Sequence, residues 1–468
     1  MDEGKEKPRR GWGPPIAGLI VAVTALSLDT LSPITRRLPI HWVPVLGAAG
    51  GLMLACWPWA WRLLRRTGSR GIRWTAAVLA LLPLVFAGGY LLWTPALLGV
   101  VPVPPMAFSS GGLNHLAYEI RLKHYGFREL RLTQVRVLDQ DGRRLGSFDA
   151  EWLVNGPLQS PDGPAASLTL DAGRDTTLFL WLALEKGRSL PDRLDHELLL
   201  TDAQSADSGR EASRRPSPAP ASDNPVRIDQ DGTLVIAGPS TLLRLRPRTP
   251  VMQAPLRGGP WLARAGPSNW SRHRRARILG HISQRFALDW VRIDAQGRTW
   301  RQAEAANGRP VNNGDFLAWG EEVRAAFSGT VAAVRDGSSD HPPGGPREPV
   351  TLSNFAGNYV VIRHDDGYCA LYGHLQWGSV TVRPGQRVFS RRLLGKIGNS
   401  GNSDEPHLHF QVADGCDLLR SEGLPFHLES YRSHGFLTEK GAFTLPWPGD
   451  PVQYAMPLRN QIVTFPDD

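Results

Sequence analysis

The amino-terminal region is a series of long apolar segments separated by short basic ones. Two of these segments exceed 20 residues without a charged side chain, and an earlier one contains only Asp29, near its end. A helix needs about 20 consecutive apolar residues to cross the hydrocarbon core of a bilayer. The pattern therefore predicts a membrane region over residues 1–104. Its three predicted transmembrane helices lie at about 16–34, 40–61 and 75–97.

The charges in that region predict an orientation. Residues 1–104 carry eleven Lys/Arg and four Asp/Glu, a balance of +7, which leaves +2 (9 − 7) for the rest of the chain. The amino terminus and the second loop are more basic than the first loop, so the positive-inside bias places both in the cytoplasm. We therefore expect a multi-pass protein of the cytoplasmic (inner) membrane, with the lipid bilayer as a partner and the later domains in the periplasm. A cleaved signal peptide is the alternative for the first segment alone.

The chain beyond the apolar region predicts mainly β structure. Residues 105–202 alternate apolar and polar positions in short runs, separated by turns such as "DQDG", and this period of two is typical of half-buried strands. We expect a β-sandwich-like domain there, with a packing or spacer role. Residues 203–225 are rich in Ser, Pro and Ala and predict a linker. Short strands and glycine turns resume over 226–468, without a long amphipathic helix.

Composition argues against two other classes of protein. Outside the apolar region the cations are not clustered, whereas a phosphate-binding face requires a cluster, so we expect no nucleic-acid partner. Three cysteines are too few for a disulfide framework. Free thiols are the simpler expectation, and a single bridge between Cys369 and Cys416 is the alternative.

Candidate chemistry lies in the apolar run "PHLHF", which places His407 and His409 one residue apart. Side chains two apart in a strand share one face of the sheet, so both imidazoles would enter one pocket. His374 ends another β-rich run 33 residues before His407. Neutral imidazole is a preferred zinc ligand and a general base near neutral pH. Three histidines converging on one polar pocket therefore favour a zinc hydrolase.

Four motifs carry a family resemblance. "YGHL", "VRPGQRV", "GKIGNSGNS" and "PHLHF", in this order, resemble the lysostaphin/LytM-type zinc metallopeptidases, which cut peptide cross-links in peptidoglycan. The resemblance is dense over residues 320–415 and looser over about 255–433. It implies a LytM-type β-domain, a duplicated hybrid motif with barrel-sandwich-like architecture, within residues 226–468. It also implies Zn²⁺ as the cofactor and peptidoglycan peptide as the substrate.

The resemblance further implies a role for each motif residue. His409 and Asp289, the latter in "QRFALDW", would ligate zinc. His407 and His374 would perform acid–base work and stabilise the oxyanion. The family usually has H-x-x-x-D at the Asp ligand, but Arg285 stands where that histidine is expected. Arginine stays protonated and cannot donate a lone pair to a metal.

Two upstream histidines are candidates for the missing ligand. His273 ends a loop, "SNWSRHRR", that resembles the loop of relatives with a Q-R-x-A-x-D segment and can fold back over the strand. His281 is eight residues before Asp289, which is about 26 Å at 3.3 Å per residue in a straight strand. We therefore favour His273, with His281 or no third protein ligand as the alternatives.

Two further residues are predicted to contact substrate. Tyr372 is two residues before His374 and would share its face of the strand, although packing explains it equally well. Asn402 lies in the glycine-rich "GNSGNS" segment, where a tight turn is the alternative explanation.

Three function classes remain open at the level of sequence. The favoured one is a zinc endopeptidase acting on cell-wall peptide at the outer face of the cytoplasmic membrane, because only one of five expected site positions departs from the pattern. The second is a non-catalytic relative that binds peptidoglycan or regulates a cell-wall hydrolase. The third is a carrier module, since "VRPGQRVFSRRLLGKIG" also resembles the hairpins of biotinyl-type domains.

Overall fold

The structure is a computed structural model. It describes residues 97–125, 130–149, 158–160, 163–164, 169–171, 173–202, 226–228, 233–244, 248–301, 312–345, 349–437 and 448–467.

The first part of the described chain consists of short and long strands that form two antiparallel sheets. In chain order they are β1 (Leu97–Val100), β2 (Ala107–Ser110), β3 (Leu113–His124), β4 (Leu130–Asp139), β5 (Arg144–Asp149), β6 (Leu158–Ser160), β7 (Gly163–Pro164), β8 (Thr169–Leu170), β9 (Asp175–Glu185), β10 (Arg193–Asp202), β11 (Val226–Ile228), β12 (Leu234–Ala237) and β13 (Thr241–Leu242). One sheet has the order β1-β3-β9-β6-β7, with β2 paired to β3. The other has the order β11-β12-β10-β4-β5, with β13 on β10 and β8 on β4.

Alternating side chains explain how these two sheets pack. Leu132, Val135 and Val137 of β4 are fully buried, and they share one apolar core with Leu178 and Leu180 of β9, in the other sheet. Polar residues between them face outward, as expected for strands with one buried face. β12 and β13 pair with β10, and β11 pairs with β12, so the strands between residues 226 and 242 extend the second sheet of this sandwich.

The C-terminal part is built on one large sheet. Its elements are β14 (Val251–Met252), β15 (Gly258–Ala263), the short helix α1 (Arg272–Arg275), β16 (Leu288–Arg292), a 3₁₀ turn (Asn313–Asp315), β17 (Glu322–Arg324), β18 (Gly329–Arg335), β19 (Asn358–Arg363), β20 (Cys369–Leu375), β21 (Arg387–Val388), β22 (Leu393–Lys396), β23 (Leu408–Ala413), β24 (His427–Phe436), β25 (Asp450–Ala455) and β26 (Gln461–Phe465). The sheet order is β14-β24-β26-β15-β16-β23-β20-β19-β18-β21, with β25 on β24, and β17 and β22 form a separate pair. Trp290, Tyr372 and Phe410 lie fully buried in its core.

The prediction of three transmembrane helices is corrected by this fold. The spans at about 16–34 and 40–61, and all of 75–97 except its last residue, lie outside the described residues. That last residue, Leu97, begins β1, whose backbone pairs with β3. Helix α1 has four residues, or about 6 Å of helix, against the roughly 30 Å of a hydrocarbon core.

The same finding corrects the predicted location. Within the described ranges, no helix has the length and apolar character that crossing a membrane requires. A multi-pass location in the inner membrane, a periplasmic placement derived from it and a bilayer partner are therefore not supported. The fold class is mainly β, and the β character predicted for the chain after residue 104 agrees with it.

The sandwich and the C-terminal sheet share a continuous junction. Phe108 of β2 packs edge-on against Phe286, with ring centroids 5.5 Å apart. The Ser109 amide donates to His427 Nε2 at 2.8 Å, and the Met456 amide donates to the Ser109 carbonyl at 2.9 Å. Because apolar packing and hydrogen bonds of the backbone both cross this boundary, the sandwich and the C-terminal sheet are in direct contact.

A disulfide links the first residue of β20 to the chain after β23. Cys369 and Cys416 are bonded, with their Cα atoms 5.2 Å apart, which is within the range that disulfides require. The two strands it braces pair directly, Cys369 lying opposite Ala413. The expectation of free thiols is therefore wrong, and the alternative bridge is the one that forms.

Candidate metal centre

Adjacent strands bring two of the predicted ligands together. In the antiparallel pair of β16 and β23, Asp289 lies directly opposite His409. On the other side of β23, His409 lies opposite Gly373, the residue before His374. Residues directly opposite each other on paired strands have Cβ atoms about 5 Å apart. This register places the Asp289 carboxylate beside the His409 imidazole and brings the backbone of His374 to the same point of the sheet.

His273 reaches the same point from a helix. It lies in α1, and its Nε2 is 3.3 Å from Asp289 Oδ2. The ring of His273 meets the ring of His409 edge-on, with centroids 4.8 Å apart. One ligand atom from each of these three residues lies within 4.8 Å of the other two. They are the group in the described chain that could hold a metal ion.

Hydrogen bonds orient the two imidazoles of this group. His273 Nδ1 donates to the Ala265 carbonyl at 3.2 Å, since a carbonyl can only accept, and Nε2 is left facing Asp289. His409 Nε2 donates to Gln411 Oε1 at 2.9 Å, and Nδ1 is left facing Asp289 Oδ1 at 3.0 Å. Partners of this kind commonly fix the tautomer of metal-ligating histidines. Gln411 and the Ala265 carbonyl therefore belong to the site.

The donor set fits a metal ion. Two imidazole nitrogens and a carboxylate all present lone pairs to the same point, and lone pairs at this separation repel unless a proton or a cation lies between them. Burial alone would lower the pKa of His273, but the Asp289 carboxylate raises it above its ordinary value. Burial alone would raise the pKa of Asp289, but His273 and His407 hold it well below its usual range. The Asp289 carboxylate is therefore negatively charged, and a cation beside it would be stabilised.

Two more histidines line the same cleft. His407 Nδ1 donates to the Glu405 carbonyl at 2.8 Å, so its Nε2 faces Asp289 Oδ1 at 3.6 Å. His374 Nδ1 donates to the Ser400 carbonyl at 2.8 Å, so its Nε2 is the nitrogen left for the cleft. The His374 and His407 ring centroids are 4.7 Å apart. Both Nε2 atoms are thus available to a bound substrate.

Burial keeps both of these histidines neutral. Burial, with the neighbouring imidazoles, lowers the pKa of His374 well below its ordinary value. Burial lowers the pKa of His407 to about 4. His374 also has a positive φ of 59°, a conformation that costs a residue with a side chain about 1 kcal/mol or more. Such strain is typical of functional positions, because the surrounding structure must hold the residue there.

The cleft in front of these residues has a volume of about 670 Å³. Asn402 lies on its lining, and its backbone amide donates to the Phe355 carbonyl at 3.0 Å. Tyr372 does not line it: the side chain is fully buried, and its hydroxyl accepts a hydrogen bond from the Ala326 amide at 2.8 Å. Of the two residues predicted to contact substrate, the fold places Asn402 at the cleft and Tyr372 in the core.

Arg285 and His281 point away from the cleft. Residues 283–286 form a turn before β16, so the four-residue spacing to Asp289 does not put both side chains on one face. Arg285 instead contacts Glu119 and Glu422, each at about 3.0 Å. His281 Nδ1 is 2.9 Å from Glu422. The residue in the expected ligand position is therefore part of a separate ionic cluster.

Comparison with known proteins finds similarity in the part of the chain that carries His374, His407 and His409. Residues 312–420 match the model of Peptidase family M23. Over 104 residues the chain is 34% identical to the peptidoglycan DD-endopeptidase ShyA of Vibrio cholerae, covering 22% of this chain and 20% of that protein. ShyC of the same organism is 39% identical over 64 residues, 14% of each chain. The chain thus spans a fifth or less of the length of these relatives.

A solved structure is also similar. The catalytic domain of lysostaphin from Staphylococcus simulans is 21% identical to the chain, with 24% of this chain and 82% of that domain covered and a TM-score of 0.17. Residues 312–420 therefore form a domain of the peptidase M23 family, the LytM/lysostaphin family, and the resemblance of the four motifs to this family is confirmed.

Proposed function

We propose that this chain is a zinc-dependent endopeptidase that hydrolyses peptide bonds in peptidoglycan. The observation that carries the proposal is the convergence of His273, Asp289 and His409, with ligand atoms within 4.8 Å of one another, in a cleft that two further neutral histidines line. The M23 match and the DD-endopeptidase relatives support the same reaction and substrate class.

Zinc suits the proposed ligands. Two imidazoles and one carboxylate are a common catalytic zinc set, which leaves a coordination position for water or substrate. His273 would bind through Nε2 and His409 through Nδ1, the nitrogens that their hydrogen bonds leave free. When bound, zinc supplies a Lewis acid that activates a water nucleophile and polarises the scissile carbonyl.

The two remaining histidines would move protons. His374 and His407 are neutral near pH 7 because burial lowers the pKa of each. Each can therefore accept a proton at Nε2, while its Nδ1 stays bonded to a backbone carbonyl. A ring protonated at Nε2 can then donate to the leaving amine or to the developing oxyanion. The carbonyls hold both rings in place during this exchange.

The test combines metal analysis with hydrolysis of purified peptidoglycan. We expect the purified chain to contain about one zinc per molecule and to release new amino groups from peptidoglycan. A chelator should abolish the release, and added Zn²⁺ should restore it. A chain that holds no zinc contradicts the proposal. A chain that holds zinc but releases no amino groups is instead a non-catalytic member of the family.

A further inference from the structure

A second buried polar cluster lies behind the metal site. We call it the bridging cluster; it consists of Glu119 on β3 of the sandwich and Arg274, Arg285 and Glu422 of the C-terminal part. Glu119 is 1% exposed, Arg274 0% and Arg285 4%. Charged side chains are almost never buried to this degree unless they are paired. The cluster joins the sandwich to the segment that carries His273 and Asp289.

One carboxylate binds both arginines. Glu119 Oε1 accepts from Arg274 Nε at 3.0 Å, and Glu119 Oε2 accepts from Arg285 Nε at 3.0 Å. Burial alone would raise the pKa of Glu119, but the charges of Arg285 and Arg274 lower it below its usual value. Glu119 is therefore an anion, and its geometry fixes the separation of two arginines that are eleven positions apart in the sequence.

Arg274 is inserted into the surface of the sandwich. Its NH2 group donates to the carbonyls of Tyr118, at 2.8 Å, and Leu180, at 2.9 Å. These two residues lie opposite each other on β3 and β9. The guanidinium also lies over the ring of Phe179, 5.4 Å from its centroid. All these partners belong to the sandwich, so the position of Arg274 depends on that domain.

Arg274 directly follows His273 in helix α1, so the positions of the two residues are coupled. Helix α1 has only four residues, and the side chain of its N-cap, Ser271, makes no capping hydrogen bond. Helices this short have almost no intrinsic stability and depend on tertiary contacts. Within the helix, Arg274 faces the sandwich and His273 faces Asp289. Displacing the arginine would therefore turn the imidazole away from the carboxylate.

Arg285 is the second arginine held by Glu119, and it lies close in sequence to Asp289. It lies in the turn before β16, four residues ahead of Asp289, and also donates to Glu422 at 2.9 Å and to the Gly423 carbonyl at 3.3 Å. Two of the three proposed ligands are thus each close in sequence to an arginine held by Glu119. Groups that hydrogen-bond directly to a metal ligand typically contribute 10–100-fold to metal affinity, and Glu119 would act one step further out, through the arginines, so the lower end of this range is expected.

We propose that Glu119 of the sandwich is a positioning residue for the metal centre, because it holds Arg274 and Arg285 and thereby places His273 beside Asp289. The inference rests on the proposed zinc site. It assigns the sandwich a role in the chemistry of the C-terminal domain, and it assigns Arg285 a structural task at a position where a ligand was expected.

The test measures metal binding by the full chain with Zn²⁺ and Co²⁺ as probes. Glu119→Gln keeps the side-chain volume but removes the charge. We expect its Zn²⁺ affinity to fall about tenfold or more, and the visible spectrum of bound Co²⁺, which reports ligand geometry, to differ from that of the wild type. A purely structural role would lower the unfolding temperature without changing that spectrum.

A matched control removes another contact between the same two domains. Arg121, also on β3, donates to the Gly280 carbonyl at 2.8 Å, and its charge interacts with Glu119 and Glu422 only at longer range, without a hydrogen bond or ion pair that the structure shows. Arg121→Met should leave both the Zn²⁺ affinity and the Co²⁺ spectrum unchanged. An equal loss in this variant would mean that any weakening of the junction disturbs the site, and the specific role of Glu119 would be refuted.

A second variant guards against misfolding. Glu119→Gln combined with Arg274→Met removes one charge of each sign, and Arg285 keeps Glu422 as its partner. We expect this variant to fold and still to bind Zn²⁺ at least about tenfold more weakly. Wild-type affinity and spectrum in a folded variant would overturn the inference and leave the zinc site standing. A wild type that binds neither metal would overturn the proposed function itself.

Discussion

Two buried clusters of charged and titratable residues share the segment between residues 273 and 289, and they differ in how their charges are satisfied. In the bridging cluster, each carboxylate oxygen of Glu119 and Glu422 contacts an arginine, a histidine or a backbone amide. In the metal-site cluster, His273, Asp289 and His409 direct lone pairs at one point beside a cleft. The chain supplies its own cations to the first cluster, whereas the second is suited to receive one.

This difference indicates that the bridging cluster stabilises the fold, whereas the metal-site cluster is suited to bind a ligand. The bridging cluster makes the fold more rigid, because all the groups that pair in it belong to the protein. The metal-site cluster can take part in a reaction, because its side chains direct lone pairs at a point where a ligand can bind. Substitutions in the two clusters should therefore fail in different ways: those in the metal-site cluster should remove metal or turnover from a folded protein, and those in the bridging cluster should affect folding as well.

The largest effect is expected from removing a proposed ligand. His409→Ala should lower Zn²⁺ affinity by more than about 100-fold, because losing a ligand costs more than losing a residue that merely orients one. The zinc content of the purified variant measures this. His364→Ala is the matched control, since its imidazole stacks on Tyr368 and lies outside both the ligand group and the bridging cluster. Full zinc occupancy in His409→Ala would contradict the assignment.

The next effect concerns turnover without loss of metal. His374→Ala should reduce kcat by about 10²–10⁴-fold, the usual contribution of a general acid–base, because His374 Nε2 faces the cleft without belonging to the ligand group. Zinc analysis should give the wild-type content. His364, on the same hairpin but stacked on Tyr368, provides a control. Retained turnover in His374→Ala would exclude the proposed proton transfer.

A break in the bridging cluster should appear as lost stability. Arg285→Met leaves Glu119 with one arginine and leaves Glu422 without its buried cation, and unpairing a buried charge costs about 3–5 kcal/mol. Urea unfolding followed by fluorescence would measure it. Arg387→Met, which breaks an exposed pair with Asp365, should leave the unfolding midpoint unchanged. Equal midpoints in the two variants would contradict the comparison.

The smallest effect is expected from Tyr372→Phe, which tests whether Tyr372 belongs to the core or to the substrate cleft. Tyr372→Phe leaves the Ala326 amide without its acceptor and should destabilise the fold by about 1–3 kcal/mol. Because the side chain is fully buried in the core, KM for peptidoglycan peptides should stay at the wild-type value. Asn402→Ala is the comparison, since Asn402 lines the cleft. A raised KM in Tyr372→Phe would place the hydroxyl in contact with substrate after all.

Local patterns predicted much of the candidate site. A period of two in "PHLHF" predicted a strand with His407 and His409 on one face, and β23 has that form, with His407 immediately before it. The motif resemblance predicted that Asp289 and His374 would join them, and the sheet register brings all four together. These placements depend on side-chain alternation and motif spacing, which are local properties, and the roles of the four residues stay predictions.

Other features were predicted wrongly or not at all. Long apolar runs predicted helices across a membrane, yet Leu97 enters a strand whose partner, β3, begins at Leu113. Free thiols were expected, yet Cys369 and Cys416 meet across 47 positions. No role was predicted for Glu119, which lies in a strand of alternating apolar and polar residues. A lone acidic residue shows its role only when its partners, 155 and 166 positions away, are known.

By itself, the sequence determined the β character of the later chain, the peptidase family and the residues able to carry metal chemistry, because these depend on side-chain type and short-range spacing. The tertiary structure alone decided that the imidazole beside Asp289 is that of His273, while Arg285 turns towards Glu119 of the sandwich. The physical reason is the turn at residues 283–286 together with the balance of buried charge. Both depend on contacts between segments that are far apart in the sequence.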